Sequence, residues 1–134
     1  MKLTLRLGCV AVGVLAIGCS GQTSRNAAPQ PVFDEFVMVL SGLEQAIETA
    51  ASAGSRDDPE LTDDLRHRVG KLEESVSELL YRASNKADAQ TTLNAMSQTL
   101  ADARNATDGI LNLSKLCELV GKLKVQAEEL KPKL

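Results

Sequence analysis

His67 is the sole histidine in the 134-residue sequence, and Asp63 lies one helical turn before it. An imidazole and a carboxylate four residues apart on a helix can share one metal ion. A zinc site needs three or four ligands, and the sequence offers no second histidine. His67 also stands two residues from both Leu65 and Val69, off the apolar face of the predicted helix. We therefore predict a solvent-exposed side chain and no metal site.

Cys117 is the candidate nucleophile among three cysteines, the other two being Cys9 and Cys19. A catalytic cysteine needs a neighbouring base, and His67 is predicted to face solvent. Because Cys117 follows Leu116 at the edge of an apolar stripe, we interpret it as a small buried residue, with an intermolecular disulfide as the alternative. The sequence contains no Ser-His-Asp set, phosphate-binding loop or haem-attachment motif. We therefore predict no catalytic residue and no cofactor, and hence not an enzyme.

An acidic cluster lies in residues 57–64, where carboxylates could suggest a calcium site. Its members are Asp57, Asp58, Glu60, Asp63 and Asp64. The alternating Asp spacing and the central Gly of a calcium-binding loop are missing. Negative side chains in the first turn of a helix are favoured by the helix dipole and by the free N–H groups. The cluster therefore predicts a helix N-terminus, with Pro59 at the first helical position.

The first twenty residues have the organisation of a secretory signal. Lys2 and Arg6 are basic, and residues 7–17 are all apolar or glycine. This run is too short to cross a bilayer, which takes about 20 residues, but it has the length of a signal peptide's apolar segment. It ends in LAIGCSGQ, residues 15–22, where apolar residues give way to Cys19 and then to polar residues. The sequence thus predicts an export signal that ends at this cysteine.

The LAIGCSGQ stretch resembles the lipobox of bacterial lipoproteins, in which Leu, a small residue and Gly or Ala precede a lipid-accepting Cys. Gly18 and Cys19 match that pattern, whereas Ala16 and Ile17 replace the usual Leu and small residue. The resemblance implies cleavage between Gly18 and Cys19 and a diacylglycerol on the sulfur of Cys19. Two or more acyl chains suffice for stable membrane anchoring. An ordinary secreted protein and an uncleaved signal anchor are the alternatives.

The location of the protein follows from the same resemblance. Ser20 follows the cysteine where Asp would imply retention at the inner membrane. We expect a lipid-anchored protein at the cell membrane or outer membrane, facing the periplasm or the exterior. The predicted domains are a signal peptide (1–18), the lipidated cysteine with a flexible tether (19–31) and a helical bundle (32–134). The tether is polar and proline-punctuated, with a reach on the order of 20 Å.

Four apolar stripes with helical spacing follow the tether. They are Phe33, Phe36, Leu40, Leu43, Ile47 and Ala50; Leu65, Val69, Leu72, Val76, Leu79 and Ala83; Leu93, Met96, Leu100 and Ala103; and Leu113, Leu116, Val120, Leu123, Ala127 and Leu130. Leu93 and Leu113 would lie on nearly opposite sides of one straight helix, so the chain must turn at residues 107–109. A second, less sharply defined helix break is predicted at Ser84 and Asn85. The predicted fold class is all-α, an antiparallel up-and-down bundle of about four helices; a coiled-coil hairpin of longer helices is the alternative.

The charge of the sequence restricts its partners. The net charge of −3 becomes −5 when Lys2 and Arg6 are removed with the signal. Because nucleic acid needs a basic face, we predict no nucleic acid partner. Residues 34–64 hold nine acidic residues and one basic residue, whereas residues 110–134 hold five lysines and three glutamates. Antiparallel helices from these two regions are therefore expected to attract one another, with a small contribution from each exposed pair.

The expected function is binding rather than catalysis. We expect a tethered adaptor or envelope structural protein whose partner is another protein or a second copy of itself. Leu80, Leu111 and Leu119 lie beside the main stripes and would form a docking surface if exposed. The alternative is a small-ligand sensor or carrier with a cavity of roughly several hundred Å³ among the helices. A solid core with an exposed apolar strip favours the adaptor, and an internal pocket favours the carrier.

Overall fold

The computed structural model describes residues 28–53 and 59–134. The helices are α1 (Gln30–Ala53), α2 (Pro59–Arg82), α3 (Ala87–Thr107) and α4 (Leu113–Leu130), and a short 3-10 helix (Lys131–Lys133) follows α4. These two ranges contain no strand. The predicted signal peptide, the lipidation site at Cys19 and the predicted tether as far as residue 27 lie outside the described residues.

The four helices form an antiparallel up-and-down bundle, which confirms the predicted fold class. α1 and α3 each pack on both α2 and α4, so every helix has two neighbours around one core. Residues 83–86 separate α2 from α3, and residues 108–112 separate α3 from α4, at the two predicted breaks. The coiled-coil hairpin is therefore wrong. Gly109 makes the second turn with φ = 65°, a left-handed conformation that favours glycine.

Polar side chains complete the ends of the helices. The side chain of Asn112 accepts a hydrogen bond from the N–H of Lys115 at 3.0 Å and so caps the start of α4. The side-chain amide of Gln90 donates to two carbonyl groups at the end of α2, at 3.0 and 2.9 Å. Both contacts satisfy main-chain groups that have no partner within their own helix. They fix the positions at which the chain leaves one helix and enters the next.

The core consists of the four predicted stripes. Every residue of those stripes is buried except Leu113, which is half-buried in the first turn of α4. Ala89, Ala106 and Leu119 complete the buried apolar set. Full burial of a Leu, Val, Ile or Phe side chain contributes about 1.5–3 kcal/mol. The bundle is therefore held together mainly by aliphatic contacts among all four helices.

The inner face of α3 also carries polar residues, and their hydroxyl groups are satisfied. Thr99 and Thr107 donate to main-chain carbonyls one turn earlier in the helix, at 3.1 and 2.7 Å. The ammonium group of Lys133 donates to the hydroxyl of Thr92 at 2.9 Å. Local hydrogen bonds of this kind allow a threonine to occupy a buried helical position. The three residues are thus part of the packed interior.

Ion pairs also join neighbouring helices across the bundle surface. Arg104 of α3 donates to Glu73 of α2 through both Nε and Nη2, with an Nε–Oε2 distance of 3.2 Å. The hydrogen bond to Glu73 and its negative charge raise the pKa of Arg104 above its usual value. Lys124 of α4 lies 3.0 Å from Glu44 of α1. The second pair joins the basic and acidic regions that were predicted to attract one another.

Candidate interaction surface

His67 is exposed on α2, on the side of the helix opposite Leu65 and Val69. Asp63, its predicted neighbour, lies 3.6 Å from Arg66, which also donates to a main-chain carbonyl at the end of α3 at 2.7 Å. Within residues 28–53 and 59–134, no three His, Cys, Asp or Glu side chains are grouped to hold a metal ion. His67 is therefore a surface residue, as predicted.

The described part of the acidic cluster lies at the start of α2. Glu60 is in the first turn of the helix, which begins at Pro59 as predicted. Asp64 lies 3.0 Å from Arg68, one turn further along. Asp57 and Asp58, the other two members of the cluster, lie outside the described residues. The placement agrees with a helix N-terminus rather than a cation site.

Cys117 is exposed, so the prediction that it is buried is wrong. It lies on the flank of α4 that faces α1, and these two helices make the least extensive contact of the four neighbouring pairs. The thiol therefore lines a surface groove instead of entering the core. His67 projects from α2, which lies diagonally across the bundle from α4, so the two residues are not brought together. An intermolecular disulfide through Cys117 stays a prediction.

The groove beside Cys117 runs along the surface between α1 and α4, and we call it the α1–α4 groove. It consists of two adjoining depressions of about 370 and 250 Å³. Its apolar floor is formed by Phe33, Leu40, Ile47, Val120 and Ala127. Its rims carry Val37, Glu44 and Glu48 on α1, and Cys117, Lys124, Val125 and Glu128 on α4, with Lys131 directly after the end of α4. Lys124 borders both depressions, so its ion pair with Glu44 crosses the middle of the groove.

The exposed apolar residues of the groove are not the ones that the sequence predicted. Val37 is 42% exposed and Val125 is 56% exposed on the two rims. Leu119 is buried, and Leu80 and Leu111 are partly buried against the core, so these three leucines form no docking surface. Because α4 packs on two neighbours, its buried arc is wider than a single stripe and includes Leu119.

None of the helices in the described ranges is long and apolar enough to cross a membrane. No family model, curated protein or solved structure matches this chain. The chain's own residues form an apolar floor on the surface, between a carboxylate-bearing rim on α1 and a second rim, along α4 and just beyond its end, that carries two lysines and one glutamate.

Proposed function

We propose that this protein is a lipid-anchored, extracytoplasmic binding module that performs no catalysis. The observation that carries the proposal is the Gly18–Cys19 junction at the end of a short apolar run. α1 begins at Gln30, so residues 19–29 would separate the lipid on Cys19 from the folded bundle. A polar segment of that length has a reach of about 20 Å. The bundle would thus be held close to the membrane surface, at the cell membrane or the outer membrane.

Protein contact is the form of binding that the α1–α4 groove favours. Its floor is apolar, and charged side chains flank it on both helices. An apolar centre within a polar rim is typical of surfaces that bind another protein. The groups with chemical reactivity, His67 and Cys117, lie on helices that are not neighbours, which supports a role without catalysis. The partner is therefore proposed to be another protein or a second copy of this chain.

A small-ligand carrier is the second candidate. The depression of about 370 Å³ beside Cys117 falls within the usual volume range of ligand sites. The groove lies on the surface, however, and the Glu44–Lys124 pair crosses it. A bound small molecule would keep much of its surface in water, whereas ligand sites bury most of the molecule they hold. Protein contact remains the better supported function.

The anchor can be tested by metabolic labelling with a palmitate analogue in a bacterium that processes lipoproteins. The wild-type chain is compared with Cys19→Ala and with the matched control Cys117→Ala. We expect label in the wild type and in Cys117→Ala, together with partitioning into detergent, and no label in Cys19→Ala. Absence of label from the wild type, or label that persists in Cys19→Ala, would refute the proposed anchor.

A further inference from the structure

We propose that the α1–α4 groove is the interface of a parallel homodimer, in which α1 of each copy packs against α4 of the other. The inference deepens the proposed function by naming the partner as a second copy of this chain. It starts from the two rims of the groove, which differ in charge. Glu44 and Glu48 lie on the α1 rim. Lys124 lies on the α4 rim and Lys131 directly after the end of α4, beside a single acid, Glu128.

The charge pattern selects the direction of pairing. When two copies meet through this face, a two-fold axis parallel to the helices places α1 of one copy opposite α4 of the other. A two-fold axis perpendicular to the helices would instead place α1 opposite α1, with Glu44 and Glu48 facing their own copies. Like charges brought together across an interface oppose association. The parallel arrangement is therefore the complementary one.

The ion pair within one copy sets the register that the parallel pairing would have. Lys124 and Glu44 lie at the same height in the bundle, because their side chains meet at 3.0 Å. An axis parallel to the helices preserves height, so Lys124 of one copy also lies level with Glu44 of the second. Each lysine then lies between two carboxylates, one from its own chain and one from its partner. The interface would gain two such contacts by symmetry.

The size of the face is sufficient for a dimer. α4 has 18 residues, which corresponds to a length of about 27 Å. Two adjacent helices of that length, each about 10 Å wide, present about 540 Å² per copy. The total buried by two copies is about 1,100 Å², which exceeds the roughly 1,000 Å² needed for a biological interface and is typical of a weak dimer. Val37 and Val125 add exposed apolar surface to both rims. Gly121 leaves the backbone of α4 open to a partner, because no neighbouring atom lies within 4 Å of a Cβ placed there.

The position of the proposed lipid anchor also favours a parallel orientation of the two copies. α1 begins at Gln30, so the link to Cys19 leaves each bundle at the end where α1 starts. Two copies anchored in one membrane have these ends on the same side only in a parallel dimer. This argument rests on the proposed function, whereas the arguments from charge and area do not.

Cross-linking of natural and introduced cysteines tests the arrangement in membranes that hold the full-length protein. Cys117 lines the groove, so a short bis-maleimide should join two copies, and Cys117→Ser should abolish the product. In the Cys117→Ser background, Glu128→Cys tests a second groove position about 16 Å further along α4. Ser97→Cys, exposed on α3 away from the groove, is the matched control.

The parallel dimer predicts efficient cross-linking through Cys117 and through Glu128→Cys, with at least fivefold less through Ser97→Cys. An antiparallel dimer centred near Cys117 would separate the two introduced cysteines of Glu128→Cys by about 33 Å, so that variant would not cross-link. That result, or cross-linking that is equal at all three positions, would overturn the proposal. The intact mass of the same samples reports acylation separately: cross-linking without lipid refutes only the anchor, and lipid without cross-linking refutes only the dimer.

Charge exchange provides a second test that leaves the apolar floor unchanged. With Lys124→Glu, each copy contributes the introduced glutamate and Glu44, so four acids meet at the centre of the parallel interface. This repulsion should lower Cys117 cross-linking at least fivefold. The double variant Lys124→Glu with Glu44→Lys restores oppositely charged pairs within each chain and between the chains, so cross-linking through Cys117 should return. Circular dichroism confirms that both variants stay helical. Unchanged cross-linking in folded Lys124→Glu would also overturn the proposed register.

Discussion

Lys124 extends from α4 to place its ammonium group 3.0 Å from the carboxylate of Glu44 on α1. This contact crosses the least extensive of the four helix–helix interfaces, in the middle of the α1–α4 groove. Both side chains are more than one-third exposed, so the pair contributes about 1 kcal/mol or less to stability. Its main effect is to fix opposite charges on the two rims, which is the feature that the proposed dimer uses.

Replacement of a core leucine should destabilise the bundle strongly. Leu72 of α2 is fully buried, and Leu72→Ala removes apolar contacts and leaves a cavity. We expect the free energy of unfolding to fall by about 2–5 kcal/mol. Met38→Ala is the matched control, because Met38 is 72% exposed and its loss should change stability by about 0.5 kcal/mol or less. Urea unfolding followed by circular dichroism measures both, and similar losses in the two variants would contradict the assigned core.

Two glycines should respond to alanine in opposite directions. Gly109 has φ = 65°, so Gly109→Ala forces a side chain into the left-handed region and should cost about 1 kcal/mol. Gly121 lies in α4 with open space around its Cβ position. Gly121→Ala should therefore stabilise the helix by about 0.5–1 kcal/mol. Unfolding midpoints of the two variants give the comparison. Stabilisation by Gly109→Ala would contradict the described α3–α4 turn, and destabilisation by Gly121→Ala would contradict the open position in α4.

The contact between Arg104 and Glu73 should be measurable as a coupling energy between α2 and α3. A double-mutant cycle with Arg104→Met and Glu73→Gln should give about 1 kcal/mol or less, and the value should fall at high salt. Because the pKa of Arg104 is raised, its charge is retained at every pH below the ordinary pKa of arginine. The coupling should therefore be unchanged between about pH 7 and pH 10. A loss of coupling within that range would contradict the assigned pair.

Periodicity predicted most of the fold because side chains facing a common core repeat with the helical period. Phe33 and Leu72 illustrate this, since both stripes that contain them are buried throughout. Leu119 is an exception to this pattern. Its neighbours in sequence place it beside the stripe of α4, and it is buried because α3 and α1 cover a wider arc of that helix.

The groove could not be predicted from one sequence. Cys117 lies at the edge of the α4 stripe, where a residue can be either buried or exposed. Its exposure depends on how closely α1 approaches α4. Val37 lies just outside the stripe of α1, whereas Val125 is two residues from both Leu123 and Ala127, away from the stripe of α4. Only the packing of α1 beside α4 brings both valines to the borders of one surface groove. The contact between Lys124 and Glu44 follows the predicted attraction of two regions, but the sequence does not specify which lysine meets which acid.

The intact mass of the protein purified from bacterial membranes decides whether Cys19 is the lipid-bearing first residue of the mature chain. We expect a chain that begins at Cys19 and carries the added mass of a diacylglycerol, with or without a further acyl chain on its amino group. Cys19→Ala should lack this mass. A wild-type chain that begins at another residue, or one that begins at Cys19 without lipid, would contradict the proposed anchor and leave a helical bundle with no assigned attachment to a membrane.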